Sequence, residues 1–188
     1  MPKIAIFASG NGSNAENIIQ YFKYKKNIII DIILTNRKDA FVIERAKKYS
    51  IDVKIFDKNE FYDSDDIINL LIKRKISNIV LAGFLWLIPN NLIMAFPDRI
   101  LNIHPALLPK YGGKGMYGMN VHKAVIENKE KESGISIHLV NEKYDEGKII
   151  FQAKCKINEN DSSESLAEKV HKLEYEYFPK VIDDWLGK

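Results

Sequence analysis

Short apolar runs alternate with longer stretches of mixed character over the first hundred positions. Lys3 to Ala8 is such a run, closed by Ser9-Gly10-Asn11-Gly12, and reads as a buried strand. Ser13 is the expected N-cap of the helix that follows, with Glu16 three residues on completing a capping box. Asn27 to Leu34, Asp52 to Phe56, Ile79 to Ala82 and Ile100 to His104 read as the next four strands. Helices are expected between them, over Phe41 to Tyr49, Tyr62 to Lys75 and Pro89 to Phe96. In the second of these, Ile67, Ile68, Leu70, Leu71 and Ile72 suit a helix packed on a sheet. Regular alternation of strand and helix predicts a doubly wound, parallel α/β arrangement.

The pattern changes after His104. Pro105 has no N–H to offer a ladder, so the fifth strand should stop before it. Tyr111 to Met119 is loop-like, with glycines at 112, 113, 115 and 118, and Val121 to Asn128 is a short helix. Ser133 to Val140 and Lys148 to Ile157 read as strands, and the short connection Asn141–Gly147 favours antiparallel pairing. Asp161 to Trp185 is mostly helical, opened by Asp161 and Glu164, with a kink expected near Pro179. The fold class expected is α/β, a mostly parallel doubly wound sheet with a C-terminal antiparallel portion and a long C-terminal helix.

Two polar features interrupt this apolar framework. Asn102 and His104 stand two apart on the fifth strand, so their side chains share a face with Cα atoms about 6.5 Å apart. An amide donor beside an imidazole suits chemistry in which an oxygen gains negative charge while a proton moves; two satisfied polar residues at a strand end is the plainer alternative. Asp145, in the turn before Gly147, is the best third partner for the imidazole. His138 reads as structural or supporting, while His122 opens a short helix and His171 lies on the long one. The second feature is the glycine loop, where backbone can approach an anion at a helix N-terminus. Gly10-x-Gly12-x-x-Ala15 also fits a dinucleotide fingerprint, but Thr35-Asn36-Arg37 stand where a ribose-binding acid belongs. A lone phosphate is the preferred ligand, with the dinucleotide reading still open. Val80 to Ile88, carrying Phe84 and Trp86, suits either the wall of a flat aromatic ligand or ordinary core.

Composition narrows the classes. The net charge of +3 is spread along the chain, with small clusters at Lys23 to Lys26 and Lys73 to Lys75, which is no nucleic-acid footprint. One cysteine, Cys155, rules out an internal disulfide and a cysteine metal cluster, and the four histidines lack metal-ligand spacing. No secretory leader or membrane-length apolar run is seen, so a soluble cytoplasmic protein without membrane partners is expected.

Taken in order, Ala8-Ser9-Gly10-Asn11-Gly12-Ser13-Asn14, Leu81-Ala82-Gly83-Phe84, Leu101-Asn102-Ile103-His104-Pro105 and Leu107-Leu108-Pro109-Lys110-Tyr111, with Trp185-x-Gly187-Lys188 at the end, carry a resemblance. They resemble the phosphoribosylglycinamide formyltransferase family (glycinamide ribonucleotide transformylases), folate-dependent formyltransferases of purine biosynthesis. The resemblance implies one formyltransferase domain over 1–188, with 1–104 as the phosphate-binding half and 105–188 as the folate-binding and catalytic half. It implies that Asn11, Gly12, Ser13 and Asn14 hold the phosphate of glycinamide ribonucleotide, with His171 and Glu174 as further substrate contacts. Leu85, Trp86, Leu87, Ile88 and Asn102, with Asn141, Glu142, Lys143, Tyr144 and Asp145, would meet the folate. Asn102, protonated His104 and Asp145 would be the catalytic trio. The co-substrate implied is 10-formyltetrahydrofolate, with no metal, and the assembly a monomer or homodimer. The chain departs from the family at Asn59, where a folate-contacting arginine is common, and in the glycine-rich 112–119 loop. A formyltransferase acting on a sugar nucleotide is the nearest alternative, and a dinucleotide-binding oxidoreductase a more distant one.

Overall fold

The computed structural model of the chain describes residues 1–25 and 27–187. Lys26 of the basic cluster and Lys188 of the closing motif lie outside the described residues. The chain divides into two compact units, Met1–Asn102 and Ile103–Lys188.

In the first unit the strands are β1 (Lys3–Phe7), β2 (Ile29–Thr35), β3 (Asp52–Ile55), β4 (Asn78–Leu81) and the start of β5 (Ile100–His104), in the order β3-β2-β1-β4-β5. All are parallel. Ile4, Ala5, Ile6 and Phe7 of the central strand are fully buried, as a strand covered on both faces requires. The covering helices are α1 (Ser13–Phe22), α2 (Val42–Lys48), α3 (Asp66–Lys73) and α4 (Asn90–Ala95). They bury Ala15, Ile18 and Phe22, then Val42 and Ala46, then Ile67 and Leu71, then Leu92.

Two expectations are corrected here. The helix expected over Tyr62 to Lys75 is split: Asn59–Asp63 forms one π-helical turn, Ser64 is extended (φ −139°, ψ 170°), and α3 starts only at Asp66. Ser64 Oγ donates to the Glu60 carbonyl and accepts from the Asp66 N–H, so its side chain supplies bonds that a continuous helix would have made. Ser13 is not the N-cap of α1. Gly12 holds that place in the left-handed region (φ 73°, ψ 21°), and no side chain caps the helix. The Glu16 carboxylate is taken instead by Arg45, by Lys48 at 3.0 Å and by the Tyr49 hydroxyl at 3.0 Å.

The second unit holds the end of β5, α5 (Met119–Glu127), β6 (Glu132–Leu139), β7 (Ile149–Lys156) and α6 (Ser163–Leu186). β6 and β7 are antiparallel. Gly147 in their connection is required, since a Cβ there would stand 1.7 Å from the Leu139 carbonyl oxygen. α6 starts at Ser163, directly after the N-cap Ser162, whose side chain forms a capping box with Ser165, rather than at Asp161, and continues as one element through Pro179. Ser136 Oγ donates to the Ala106 carbonyl at 2.7 Å and accepts from the Leu108 N–H at 2.9 Å and from Gln152 Nε2 at 2.7 Å. That hub fastens the segment following His104 to β6 and β7. Among the described residues no helix is long and apolar enough to cross a membrane.

Candidate active site

In the first unit, register places the ends of three strands at one edge: Phe7 of β1 pairs with Leu81 of β4, and Leu81 with Asn102 of β5. The glycine loop, the Gly83–Trp86 segment and Asn102 therefore emerge together, where open α/β sheets bind ligands. Ser9 ties two of them, donating its N–H to the Gly83 carbonyl at 3.0 Å and accepting the Leu85 N–H on Oγ at 3.0 Å. Gly12 is fixed by conformation and by space, because an added Cβ would lie 2.9 Å from Val42 Cα. Gly10 faces open space.

The two rings of the aromatic stretch are both half-buried. Phe84 packs edge-on against Phe7 at 5.4 Å and Phe61 at 5.6 Å. Ile88 is 3% exposed, so it backs the segment as core and offers a ligand almost no surface. Leu85 is exposed, and Trp86 is half-buried between Tyr62, at 5.8 Å, and Phe56, at 6.0 Å. Leu87 is half-buried and its carbonyl accepts from the Tyr62 hydroxyl. Asn59 opens the π-helical turn, and the neighbouring Lys58 places its ammonium 6.0 Å from the Trp86 ring centre.

The second unit gathers titratable groups around Asp145. His104, 4% exposed, has Nε2 at 2.7 Å from the Tyr111 carbonyl oxygen. A carbonyl only accepts, so Nε2 carries the hydrogen. Nδ1 of His104 faces Asp145 Oδ2 at 3.5 Å. The other carboxylate oxygen, Oδ1, is 3.5 Å from His138 Nε2, while His138 Nδ1 donates to the Leu139 carbonyl at 2.9 Å. As neutral rings, both imidazoles turn a lone pair toward the carboxylate, and one added proton converts either contact into an ion pair. The Gly113 N–H donates to Asp145 Oδ2 at 2.9 Å. Gly112 leaves room for this, since a Cβ there would come within 3.1 Å of Asp145 Cβ.

Burial lowers the His104 pKa; the Asp145 charge and the Tyr111 carbonyl offset this only in part. Burial works to raise Asp145, but His138, the His104 charge and the Gly113 N–H outweigh it and hold the carboxyl below its ordinary value. The free site therefore favours a neutral His104 beside an ionised Asp145. His138, expected as a supporting residue, is the second imidazole on Asp145. The Tyr111 carbonyl and Gly113 N–H had no signal in the sequence, being backbone groups. His138 had one: it lies two residues after Ser136 on β6, so the two side chains share a face.

The other expected contacts are placed as follows. His171 Nδ1 lies 2.7 Å from Glu174 Oε2 on α6, and that hydrogen bond raises the His171 pKa against the effect of burial. Glu174 is itself 4% exposed. Asn141 Oδ1 accepts the Lys143 N–H at 3.0 Å, shaping the turn, while Glu142 and Lys143 are exposed and Tyr144 half-buried. No group of three or more His, Cys, Asp or Glu side chains among the described residues could hold a metal ion.

A family model described as formyl transferase matches residues 2–182. The chain belongs to the formyl transferase family. It is 42% identical over 186 residues to a chloroplastic phosphoribosylglycinamide formyltransferase of Arabidopsis thaliana, covering 96% of this chain but only 64% of that protein. It is 35% identical over 192 residues to the Bacillus subtilis phosphoribosylglycinamide formyltransferase, covering 100% of this chain and 96% of that one. Among solved structures, glycinamide ribonucleotide transformylase 1 from Geobacillus kaustophilus superposes with a TM-score of 0.90 at 32% identity, over 99% of each chain. The α/β architecture, with its mostly parallel strands and long C-terminal helix, is that of these formyl transferase relatives.

Proposed function

We propose that this formyl transferase transfers the formyl group of 10-formyltetrahydrofolate to the primary amine of glycinamide ribonucleotide, in purine biosynthesis. The observation that carries the reading is the buried His104–Asp145–His138 cluster at the end of β5, two residues beyond Asn102. The relatives named for this reaction support it.

The amine nitrogen attacks the formyl carbon, and the C=O electron pair moves onto oxygen. Asn102 and the Nε2–H of His104 donate hydrogen bonds to that oxygen, the role of an oxyanion hole. For His104 this requires exchanging the Tyr111 carbonyl for the formyl oxygen. The tetrahedral intermediate carries an extra proton on the attacking nitrogen. Asp145, flanked by two imidazoles, accepts that proton, directly or through water, and returns it to N10 as the C–N10 bond breaks. Charge collapses back into the carbonyl of the new formamide.

In this reading Asn11 to Asn14 bind the substrate phosphate, and His171 and Glu174 bind the rest of the nucleotide. Leu85 to Ile88 and Asn141 to Asp145 border the folate. The division into phosphate-binding and folate-binding halves, cytoplasmic residence and action on small molecules alone belong to the same proposal. The test is a formyl-transfer assay offering glycinamide ribonucleotide, an amino sugar nucleotide, charged tRNA and water as acceptors. Turnover confined to glycinamide ribonucleotide is expected; preference for the amino sugar would transfer the assignment to the nearest alternative.

A further inference from the structure

The glycine loop is held from one side by α2. The Val42 N–H donates to the Gly10 carbonyl at 3.2 Å, and Val42 Cα packs where a side chain on Gly12 would go. One turn on, the Arg45 guanidinium reaches Asn11 twice: Nε donates to the Asn11 carbonyl at 2.8 Å and Nη2 to its side-chain Oδ1 at 2.7 Å. Its third nitrogen, Nη1, bonds the Glu16 carboxylate, which also accepts from Lys48 and Tyr49.

These contacts settle the polarity of the loop. With both oxygens of Asn11 occupied by a guanidinium fork, only the amide NH₂ of that side chain is left to turn toward a ligand. Glu16 lies in the first turn of α1, where a carboxylate would repel an incoming anion. Two cations, Arg45 and Lys48, meet that single negative charge, leaving a net positive charge beside the loop. We propose that Arg45 is a positioning residue for substrate: it clamps both oxygens of Asn11, presents the Asn11 amide as a donor to a phosphate monoester, and screens Glu16 from that phosphate. The inference rests on the reading of the loop as the phosphate site.

Arg45→Met removes the fork, and Arg45→Lys keeps charge without the paired geometry. Arg45→Met should raise the KM for glycinamide ribonucleotide about tenfold to a hundredfold, the size of a lost charge-assisted hydrogen bond. The KM for the formyl donor and kcat should stay close to wild type, and Arg45→Lys should fall between the two. Asn11→Ala should match Arg45→Met in KM, and the two together should cost little more than either alone, because they act on one contact. Additive losses, or an equal rise in both KM values, would overturn the clamp. So would complete recovery of Arg45→Met by Glu16→Gln, which would reduce Arg45 to a charge screen. Thermal protection by ribose 5-phosphate and by inorganic phosphate tests the underlying reading separately. If neither protects wild type, the loop is not a phosphate site. If both protect wild type and Arg45→Met equally, the loop keeps its role and Arg45 loses the one assigned. Circular dichroism and melting of Arg45→Lys show whether the fold survives without the fork; a folded Arg45→Lys with wild-type KM would also count against the clamp.

Discussion

Two carboxylates in this molecule each face a pair of basic side chains, and they differ in what those partners can do. Asp31 on β2 meets Lys3 at 2.8 Å and Arg74 at 2.6 Å, and Arg74 continues to Asp52 at 2.6 Å. Asp145 meets His104 and His138, both at 3.5 Å. Lysine and arginine stay charged at any physiological pH, so the Asp31 cluster is closed, with every charge matched at contact distance. Imidazoles change charge near neutrality, and the longer separations leave Asp145 short of a full ion pair until a proton arrives. The first arrangement supports the sheet and the second can carry a proton. A carboxylate with two basic neighbours is a chemical site only when those neighbours can give up their charge.

The largest expected separation is in rate. His104→Ala should lower kcat by about 10²–10⁴, since it removes an oxyanion donor together with the imidazole that sits against the proton-carrying Asp145. Asn102→Ala should lower it by about 10²–10³, the range for one oxyanion donor. Asp31→Asn should leave kcat unchanged while lowering the melting temperature. Steady-state kinetics on the three variants would decide the matter, and a rate loss in Asp31→Asn comparable with the other two would erase the contrast.

Next in size is the coupling within the Asp145 cluster. The Asp145 charge favours protonated His104, so Asp145→Asn should move the acidic limb of the pH–rate profile to lower pH as well as reduce the rate. His104→Ala combined with Asp145→Asn should cost far less than the product of the single losses, since the two groups act as a unit. Multiplicative losses would mean that the pair is only a neighbourly contact.

The smallest effects are in stability against pH, where the two clusters should separate into two windows. His104 has its folded pKa below the ordinary 6.5, so the unfolded chain takes up the proton first. Its stabilising contribution is complete above pH 6.5 and erodes as the pH falls below that value. For Asp31, burial raises the pKa, but Lys3 and Arg74 outweigh it and bring the folded value below 3.8. That contribution is complete above pH 3.8 and is lost only as the pH falls further. Denaturant titrations should show His104→Ala flattening the slope just below pH 6.5, where buried His122 also contributes because burial and the His171 charge lower its pKa. Asp31→Asn should flatten the curve only below pH 3.8, and interchanged windows would reverse the assignment of roles.

Much of this was legible in the chain, for reasons that also mark where legibility ends. The buried strands show themselves as apolar runs because both faces of a central parallel strand are covered, and Pro105 marks the end of β5. Asn102 and His104 are readable as a pair because strand alternation is a local rule. Glu16 is misread because its partner Arg45 is 29 residues away, and no local rule shows that a helix will arrive there. The neutral state of His104 is equally hidden, since it depends on burial and on a backbone carbonyl at Tyr111. Phe84 and Trp86 look alike in sequence, and the structure leaves both half-buried against Phe56 and Phe61; the 5.4 Å contact of Phe84 with Phe7 tells them apart, and it spans 77 residues of chain that no local rule connects.

The hydroxyl of Ser136 has consequences for how this chain can vary. A hydroxyl offers one hydrogen and two lone pairs, and all three are engaged, by the Ala106 carbonyl, the Leu108 N–H and the Gln152 amide. The side chain is fully buried, so water cannot take over a lost bond. Alanine would take the Ser136 partner from the Ala106 carbonyl and the Leu108 N–H and leave Gln152 Nε2 with its 3.2 Å bond to the Leu108 carbonyl, cysteine would lengthen every contact, and threonine must find room for a methyl group where there is no exposed surface. A residue that touches no reacting atom thereby becomes hard to replace, because the path of the chain out of β5, and with it the setting of His104, is tied by this one hydroxyl and by the Gln152 amide that bonds the Leu108 carbonyl.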